Sequence, residues 1–128
     1  MLNWIAFDAD DTLWHNEKLY HDGRDRFHEI LAKYQLEPGV DEILDSTEIY
    51  NIRYYGYGVM SFDLSLIEVA IRVTDGRLTA EDTSAILDLG KDMLTAELPP
   101  ATGVHETLSA LSESHHLMVI TKGDLFHQ

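Results

Sequence analysis

The fold of this chain is decided by residues 4–12, which read WIAFDADDT. Four apolar residues, Trp4 to Phe7, are followed at once by carboxylates at Asp8, Asp10 and Asp11. The apolar run is too short for a helix and lacks the polar alternation of a half-solvated strand, so it predicts a strand of a parallel sheet buried on both faces. Ligands of open α/β sheets bind beyond the carboxyl ends of the strands, so the acids are predicted to face a functional site.

A second strand is predicted near the other end of the chain, where the apolar run Leu117 to Ile120 ends at Thr121. Between the two runs, apolar residues recur at helical spacing and Gly or Pro residues interrupt the pattern. Helices are predicted from about Glu17 to before Pro38, from about Asp41 to Gly56, from a Ser61 cap to Asp75, from a Thr79 cap onward, and from Val104 to the second strand.

This order of elements predicts an α/β fold. The two strands and the last helix form a parallel βαβ crossover. The other four helices are a bundle inserted after the first strand, and a connector with Pro and Gly at residues 98–103 leads from the bundle to the last helix. The predicted domains are a discontinuous core of residues 1–14 and 100–128 and a helical insert of residues 15–99.

Composition excludes several classes of function. The chain has 128 residues, 45% of them hydrophobic and 25% charged, which is typical of a globular domain. A net charge of −14 repels nucleic acid phosphates and anionic lipids, so neither a nucleic acid nor a membrane is an expected partner. The absence of cysteine excludes disulfides, thiolate metal sites and cysteine nucleophiles. With no targeting or membrane-spanning segment in the sequence, the expected location is the cytoplasm.

The acids after the first strand have the residue types of a catalytic pair. Of two nearby carboxylates, one can stay ionised as a nucleophile and metal ligand while the other has a raised pKa and serves as acid and then base. The alternative is a polar turn that only ends the strand. Three acids so close together would repel one another without a cation, which favours the catalytic interpretation.

These residues resemble the motifs of the haloacid dehalogenase (HAD) superfamily. Asp8 to Thr12 after an apolar strand is similar to its first motif, DxDx[TV], and Leu117 to Thr121 is similar to its second, an apolar strand that ends in Ser or Thr. The resemblance covers essentially the whole chain. It implies a Rossmannoid parallel sheet, of which only the first two strands are present, with an inserted helical cap of the C1 type.

The resemblance also implies a role for each matching residue. Asp8 would attack the phosphorus of a small phosphorylated metabolite, form an aspartyl phosphate and bind Mg²⁺. Asp10 would protonate the leaving alcohol and then activate water, and its backbone carbonyl would complete part of the metal shell. Thr121 would bind a phosphoryl oxygen. Dehalogenases of the family do not carry an aspartate at the position of Asp10, so the resemblance favours a phosphatase.

Two further motifs of the superfamily, a lysine and a metal-binding acid, are expected after the second strand, but the sequence ends seven residues after Thr121. Lys122 is a candidate substrate contact in place of that lysine. Asp124 is predicted to cap a helix that begins at Leu125. The sequence therefore resembles the N-terminal half of a longer protein, and the missing motifs argue against full activity of these residues alone.

Two other classes of function stay open. One is a non-catalytic interaction protein in which the helical cap alone has a partner. The other is a receiver-like phosphoacceptor domain, which requires alternating strands and helices, whereas residues 15–98 predict no strand. In the sheet that the resemblance implies, a later strand would pair with the free edge of Trp4 to Phe7. Without that strand the apolar edge is open, so the chain is expected to form homo-oligomers or aggregates through it, or to be completed by another segment.

Overall fold

The computed structural model describes residues 3–128 and divides them into two compact units. The first unit holds the residues up to Tyr20 together with Glu97–Thr121. The second unit holds His21–Ala96 together with Lys122–Gln128.

The first unit contains the parallel sheet. Strand β1 (Trp4–Phe7) pairs with β2 (His116–Val119), and the register places Trp4 opposite His116 and Phe7 opposite Val119. Helix α5 (Val104–Ser112) leads into β2 and packs against it. The predicted parallel βαβ arrangement is confirmed, and β2 begins one residue earlier than the apolar run indicates.

The predicted burial of this sheet is wrong for the described residues. Trp4 is 57% exposed, Val119 54% and Ile120 64%. A parallel sheet is buried when helices cover both of its faces. In residues 3–128 the sheet has two strands, and α5 is the helix that packs on it, so apolar strand side chains stay open to solvent.

The second unit is a helical bundle. Its helices are α2 (Val40–Tyr55), α3 (Val59–Val73), α4 (Ala80–Thr95) and the part of α1 (Glu17–Leu31) from His21 onward, which a 3-10 turn at Ala32–Tyr34 continues; the first four residues of α1 belong to the first unit. Apolar spacing of three and four residues gives each helix one inward face. The five largest fully buried side chains come from all four helices: Phe27, Leu44, Leu66, Ile86 and Leu89. The predicted helices are confirmed, and residues 15–98 contain no strand.

Two predicted helix caps have different outcomes. Thr79 caps α4 as expected, because its hydroxyl accepts a hydrogen bond of 3.1 Å from the Asp82 amide. Ser61 does not cap α3, which begins at Val59 after Gly58. Ser61 lies inside the first turn and is buried there.

The cap of α3 comes from a residue distant in sequence. The amide of Met60 donates a hydrogen bond of 2.8 Å to Oδ2 of Asp124, which is buried. The prediction that Asp124 caps a helix beginning at Leu125 is therefore wrong, and the residues from Leu125 onward form a turn. The positive end of the α3 dipole attracts the carboxylate, an interaction between distant residues that local sequence does not display.

Helices in the described part of the chain lack the combination of length and apolar character needed to cross a membrane.

Candidate functional site

The candidate site begins where β1 ends. The chain turns directly after Asp8, and the turn is anchored by Ala9, which is completely buried. The carbonyl of Ala9 accepts hydrogen bonds from the amides of Thr12 (3.0 Å) and Leu13 (2.8 Å). The carbonyl of Leu13 in turn accepts one of 2.7 Å from Ala101, so the turn is held at both of its ends.

The first two acids of the motif differ in environment. Asp8 is exposed, and its Oδ2 accepts a hydrogen bond of 3.1 Å from the hydroxyl of Thr12. Asp10 is half-buried, and its Oδ1 accepts one of 3.0 Å from the indole Nε1 of Trp14. Each carboxylate is thus oriented by a different neighbour, and the one at the end of the strand is open to solvent.

The third acid contacts the start of the first helix. Oδ1 of Asp11 accepts hydrogen bonds from the amides of Asn16 (2.7 Å) and Glu17 (3.0 Å). The backbone of Asp11 has a positive φ of 59°. Sequence spacing identified Asp11 as part of the motif but gave no sign of this partner.

Thr121 lies at the same sheet edge as Asp8. The amide of Ile120 donates a hydrogen bond of 2.9 Å to the carbonyl of Phe7, so the ladder between the parallel strands continues to the residue before Thr121. Asp8 and Thr121 therefore leave neighbouring strands at their carboxyl ends, where α/β sheets bind ligands.

Lys122 has a different neighbour. It belongs to the second unit, and its ammonium nitrogen lies 4.5 Å from the ring centroid of Tyr57, within the range of a cation–π interaction. The structure thus supplies a partner for Lys122 that sequence analysis did not identify. Contact of Lys122 with substrate stays a prediction.

The donor atoms at this edge suit a magnesium ion. Mg²⁺ prefers oxygen ligands and is usually bound through one or two carboxylates, with water and substrate phosphate at other positions. Asp8 and Asp10 offer such oxygens. Among residues 3–128, no group of three or more His, Asp or Glu side chains is arranged to hold a metal ion.

A cavity of about 160 Å³ lies beside the turn in the first unit. It is lined by the following residues of the end of β1, of the turn and around the start of α5: Phe7, Thr12, Leu13, Thr102, Gly103, Val104, Thr107 and Leu108. Asp8 and Asp10 do not line it, so this cavity is separate from the carboxylate pair.

Asp63 of α3 is a partly buried carboxylate that the sequence did not single out. Its Oδ1 is buried and accepts no hydrogen bond from any described residue, and burial raises the pKa of Asp63 to about 7. A Cβ on Gly90 of α4 would collide with this carboxylate, so Gly90 makes room for it. The sequence feature that could have indicated the burial of Asp63 is its position directly after Phe62, a core residue of α3.

The chain was compared with protein families, curated proteins and solved structures, and solved structures with the same fold were found. No protein-family model matches the chain, and no curated protein sequence matches it. The chain is similar to a haloacid dehalogenase-like family hydrolase from Xanthomonas campestris, with a TM-score of 0.90 and 35% sequence identity. The alignment covers 99% of this chain and 53% of that one.

Two other crystal structures share the fold at lower identity. A 2-haloacid dehalogenase from Pseudomonas syringae pv. tomato DC3000 has a TM-score of 0.59 and 20% identity, covering 94% of this chain and 55% of that one. A predicted phosphoglycolate phosphatase from Haemophilus somnus 129PT has a TM-score of 0.53 and 20% identity, covering 98% and 54%. The chain therefore spans about half the length of each of these proteins.

Proposed function

We propose that this chain, which shares its fold with a haloacid dehalogenase-like family hydrolase, carries the nucleophilic half of a magnesium-dependent phosphomonoester hydrolase. One observation supports this most strongly. Asp8 and Thr121 follow two hydrogen-bonded parallel strands at the same edge, and Asp10 lies in the turn that begins after Asp8. Parallel strands that end in an acid and a hydroxyl present a nucleophile and a hydrogen-bond donor to one ligand.

Asp8 is the proposed nucleophile because it is the exposed carboxylate at the end of the strand. The hydroxyl of Thr12 holds Oδ2, so Oδ1 is the proposed attacking atom. Attack on phosphorus breaks the bond to the leaving oxygen and forms an aspartyl phosphate. Water then attacks the same phosphorus and releases Asp8 and inorganic phosphate.

Asp10 is the proposed acid and base. The indole of Trp14 fixes one oxygen of its carboxylate, and a fixed orientation is a requirement for efficient proton transfer. Asp10 gives a proton to the leaving alcohol oxygen and later takes one from the attacking water. Displacement of a halide needs no proton donor, so an aspartate at this position supports phosphate ester hydrolysis over dehalogenation.

The remaining roles concern charge on the phosphoryl group. The hydroxyl of Thr121 donates a hydrogen bond to a phosphoryl oxygen, and Lys122 is a further candidate contact. A magnesium ion, when held by the Asp8 carboxylate and the Asp10 carbonyl, supplies electrostatic stabilisation of the charge that develops on these oxygens. The proposed substrate class is a small phosphorylated metabolite.

An aryl phosphate assay tests the proposed function. The protein in its full natural length is assayed with p-nitrophenyl phosphate, with and without Mg²⁺. Asp8→Asn is expected to lower kcat by about 10³-fold or more, because the amide is not a nucleophile. Asp25→Asn makes the same change at an exposed position of α1 and is expected to keep the wild-type rate. Wild-type turnover by Asp8→Asn contradicts the proposal.

The exposed sheet favours one second candidate, a non-catalytic interaction protein. Trp4 and Ile120 are more than half exposed in this chain, and apolar surface of this kind commonly marks a contact with another polypeptide. The same assay separates the two candidates. An interaction protein shows no Mg²⁺-dependent turnover that Asp8→Asn removes.

A further inference from the structure

The backbone of Asp11 adopts a conformation that costs free energy for most residues. Asp11 is the third residue of the turn Ala9–Thr12, which is closed by the hydrogen bond from the Thr12 amide to the Ala9 carbonyl. Its φ of 59° lies in the left-handed region, and turns of this kind usually carry Gly or Asn there. The carboxylate at this position therefore calls for a compensating interaction.

That interaction is with the start of α1. The first amides of a helix have no partner inside the helix, and a carboxylate satisfies them well because it also meets the positive end of the helix dipole. Oδ1 of Asp11 accepts from the amide of Glu17, the first residue of α1, and from the amide of Asn16 before it.

The side chain of Asn16 does not cap α1. An Asn directly before a helix normally caps it, yet Oδ1 of Asn16 is buried without a hydrogen-bond partner among the described residues. The helix start therefore depends on a residue of the motif turn, five and six positions earlier in the chain.

We propose that Asp11 is a positioning residue, whose carboxylate fastens the motif turn to the first turn of α1 and thereby fixes Asp8 and Asp10. The proposal rests on the proposed function for the chemistry of Asp8 and Asp10. Asp11 itself touches neither substrate nor metal in this account. Thr12 and Trp14 orient the two catalytic carboxylates individually, whereas Asp11 holds the backbone that carries all three acids.

Two substitutions at Asp11 distinguish the effect of its backbone conformation from the effect of its carboxylate. Asp11→Gly accepts the positive φ but removes the hydrogen-bond acceptor. Asp11→Asn tolerates the same φ and keeps an acceptor oxygen without the charge. Both variants are made in the protein in its full natural length, and folding is checked by circular dichroism.

The first measurement is amide hydrogen exchange by NMR, which does not depend on activity. In Asp11→Gly, the amides of Asn16 and Glu17 are expected to exchange about tenfold faster, and those of Thr12 and Leu13 in the turn are expected to follow. In Asp11→Asn, all four are expected to stay near the wild-type rates. Unchanged exchange in Asp11→Gly overturns the proposal.

The second measurement is aryl phosphate hydrolysis. A small misplacement of catalytic groups costs up to about 10²-fold, so Asp11→Gly is expected to lose about 10- to 100-fold in kcat with little change in KM. Asp11→Asn is expected to recover most of this loss. Equal losses in both variants overturn the proposal, because the charge of Asp11 would then act directly. An inactive wild type contradicts the proposed function instead, and the exchange measurement still decides the role of Asp11.

Discussion

Asp8, Asp10 and Asp11 lie within four residues of one another and hydrogen-bond to three different kinds of donor. Asp8 accepts from a hydroxyl, Asp10 from an indole, and Asp11 from two backbone amides at the start of α1. The residue types and their spacing predicted the motif, because three carboxylates directly after an apolar strand repel one another unless a cation is bound. The separate partners were not predictable, since they depend on the path of the turn and on where α1 begins.

Asp63 carries a prediction about pH. Its pKa in the folded chain, about 7, is raised by burial above the ordinary value of 3.8. The folded state therefore binds this proton more tightly than the unfolded state. The stability that the protonated group contributes is complete below pH 4 and is lost as the pH rises through 7.

Asp63→Asn keeps the shape of the side chain and removes the charge. At pH 8 it is expected to raise the free energy of unfolding by about 2 kcal/mol, a figure reduced for the partial exposure of the group. Near pH 3.5 the wild type and the variant are expected to be equally stable. Urea denaturation at both pH values measures this, with Asp25→Asn as the surface control. A difference that does not change with pH contradicts the role given to Asp63.

At the scale of elements, helix periodicity was predictable and one helix start was not. The apolar spacing of Leu64, Ile67 and Ile71 indicates a helix, but Leu64 and Ile71 are exposed. The buried face of α3 instead carries Phe62, Leu66 and Val69. The first residue of α3 was placed wrongly at a Ser61 cap, because the capping carboxylate comes from Asp124, 64 residues from the Met60 amide that it binds. An interaction between distant residues leaves no periodic trace in the sequence.

The cap of α3 predicts the effect of changing Asp124. Asp124→Ala removes the acceptor for the Met60 amide and is expected to lower the free energy of unfolding of the helical unit by about 1 kcal/mol. Asp124→Asn keeps an acceptor oxygen and is expected to lose less. Urea denaturation followed by circular dichroism measures both variants. An Asp124→Ala variant as stable as the wild type would show that this hydrogen bond contributes nothing.

Gly58 supports the same contact from the other side. Its φ is 120°, and a Cβ at this position would lie 2.7 Å from Oδ2 of Asp124. Gly56 correctly indicated the end of α2. The need for a close approach to Asp124 was visible only in three dimensions.

At the scale of the whole molecule, the order of elements was predictable because connection rules for parallel strands permit few arrangements. The degree of burial of the sheet was not. Apolar strand residues such as Val119 predict that the sheet is buried. The strand sequence does not identify the helices or strands that would pack against it. The chain spans 53% of the Xanthomonas campestris structure that it resembles, and its sheet faces solvent.

The exposed sheet predicts how the 128-residue chain behaves when it is expressed by itself. Open strand edges and apolar faces recruit other chains, so we expect self-association in light scattering and binding of the dye ANS. Exchange of Val119 and Ile120 for threonine is expected to weaken both, because it removes exposed apolar surface and keeps β-branched side chains. A monodisperse monomer that binds no dye would refute this expectation.

The central claim is that Asp8 receives a phosphoryl group at the sheet edge, and a structure with a phosphoryl mimic tests it most directly. Crystals of the protein in its full natural length are soaked with Mg²⁺ and beryllium fluoride, which forms a tetrahedral adduct on a nucleophilic carboxylate. The account predicts electron density joined to Oδ1 of Asp8 and within hydrogen-bond distance of the Thr121 hydroxyl. Density on another residue, or a bare Asp8 at saturating ligand, would contradict it.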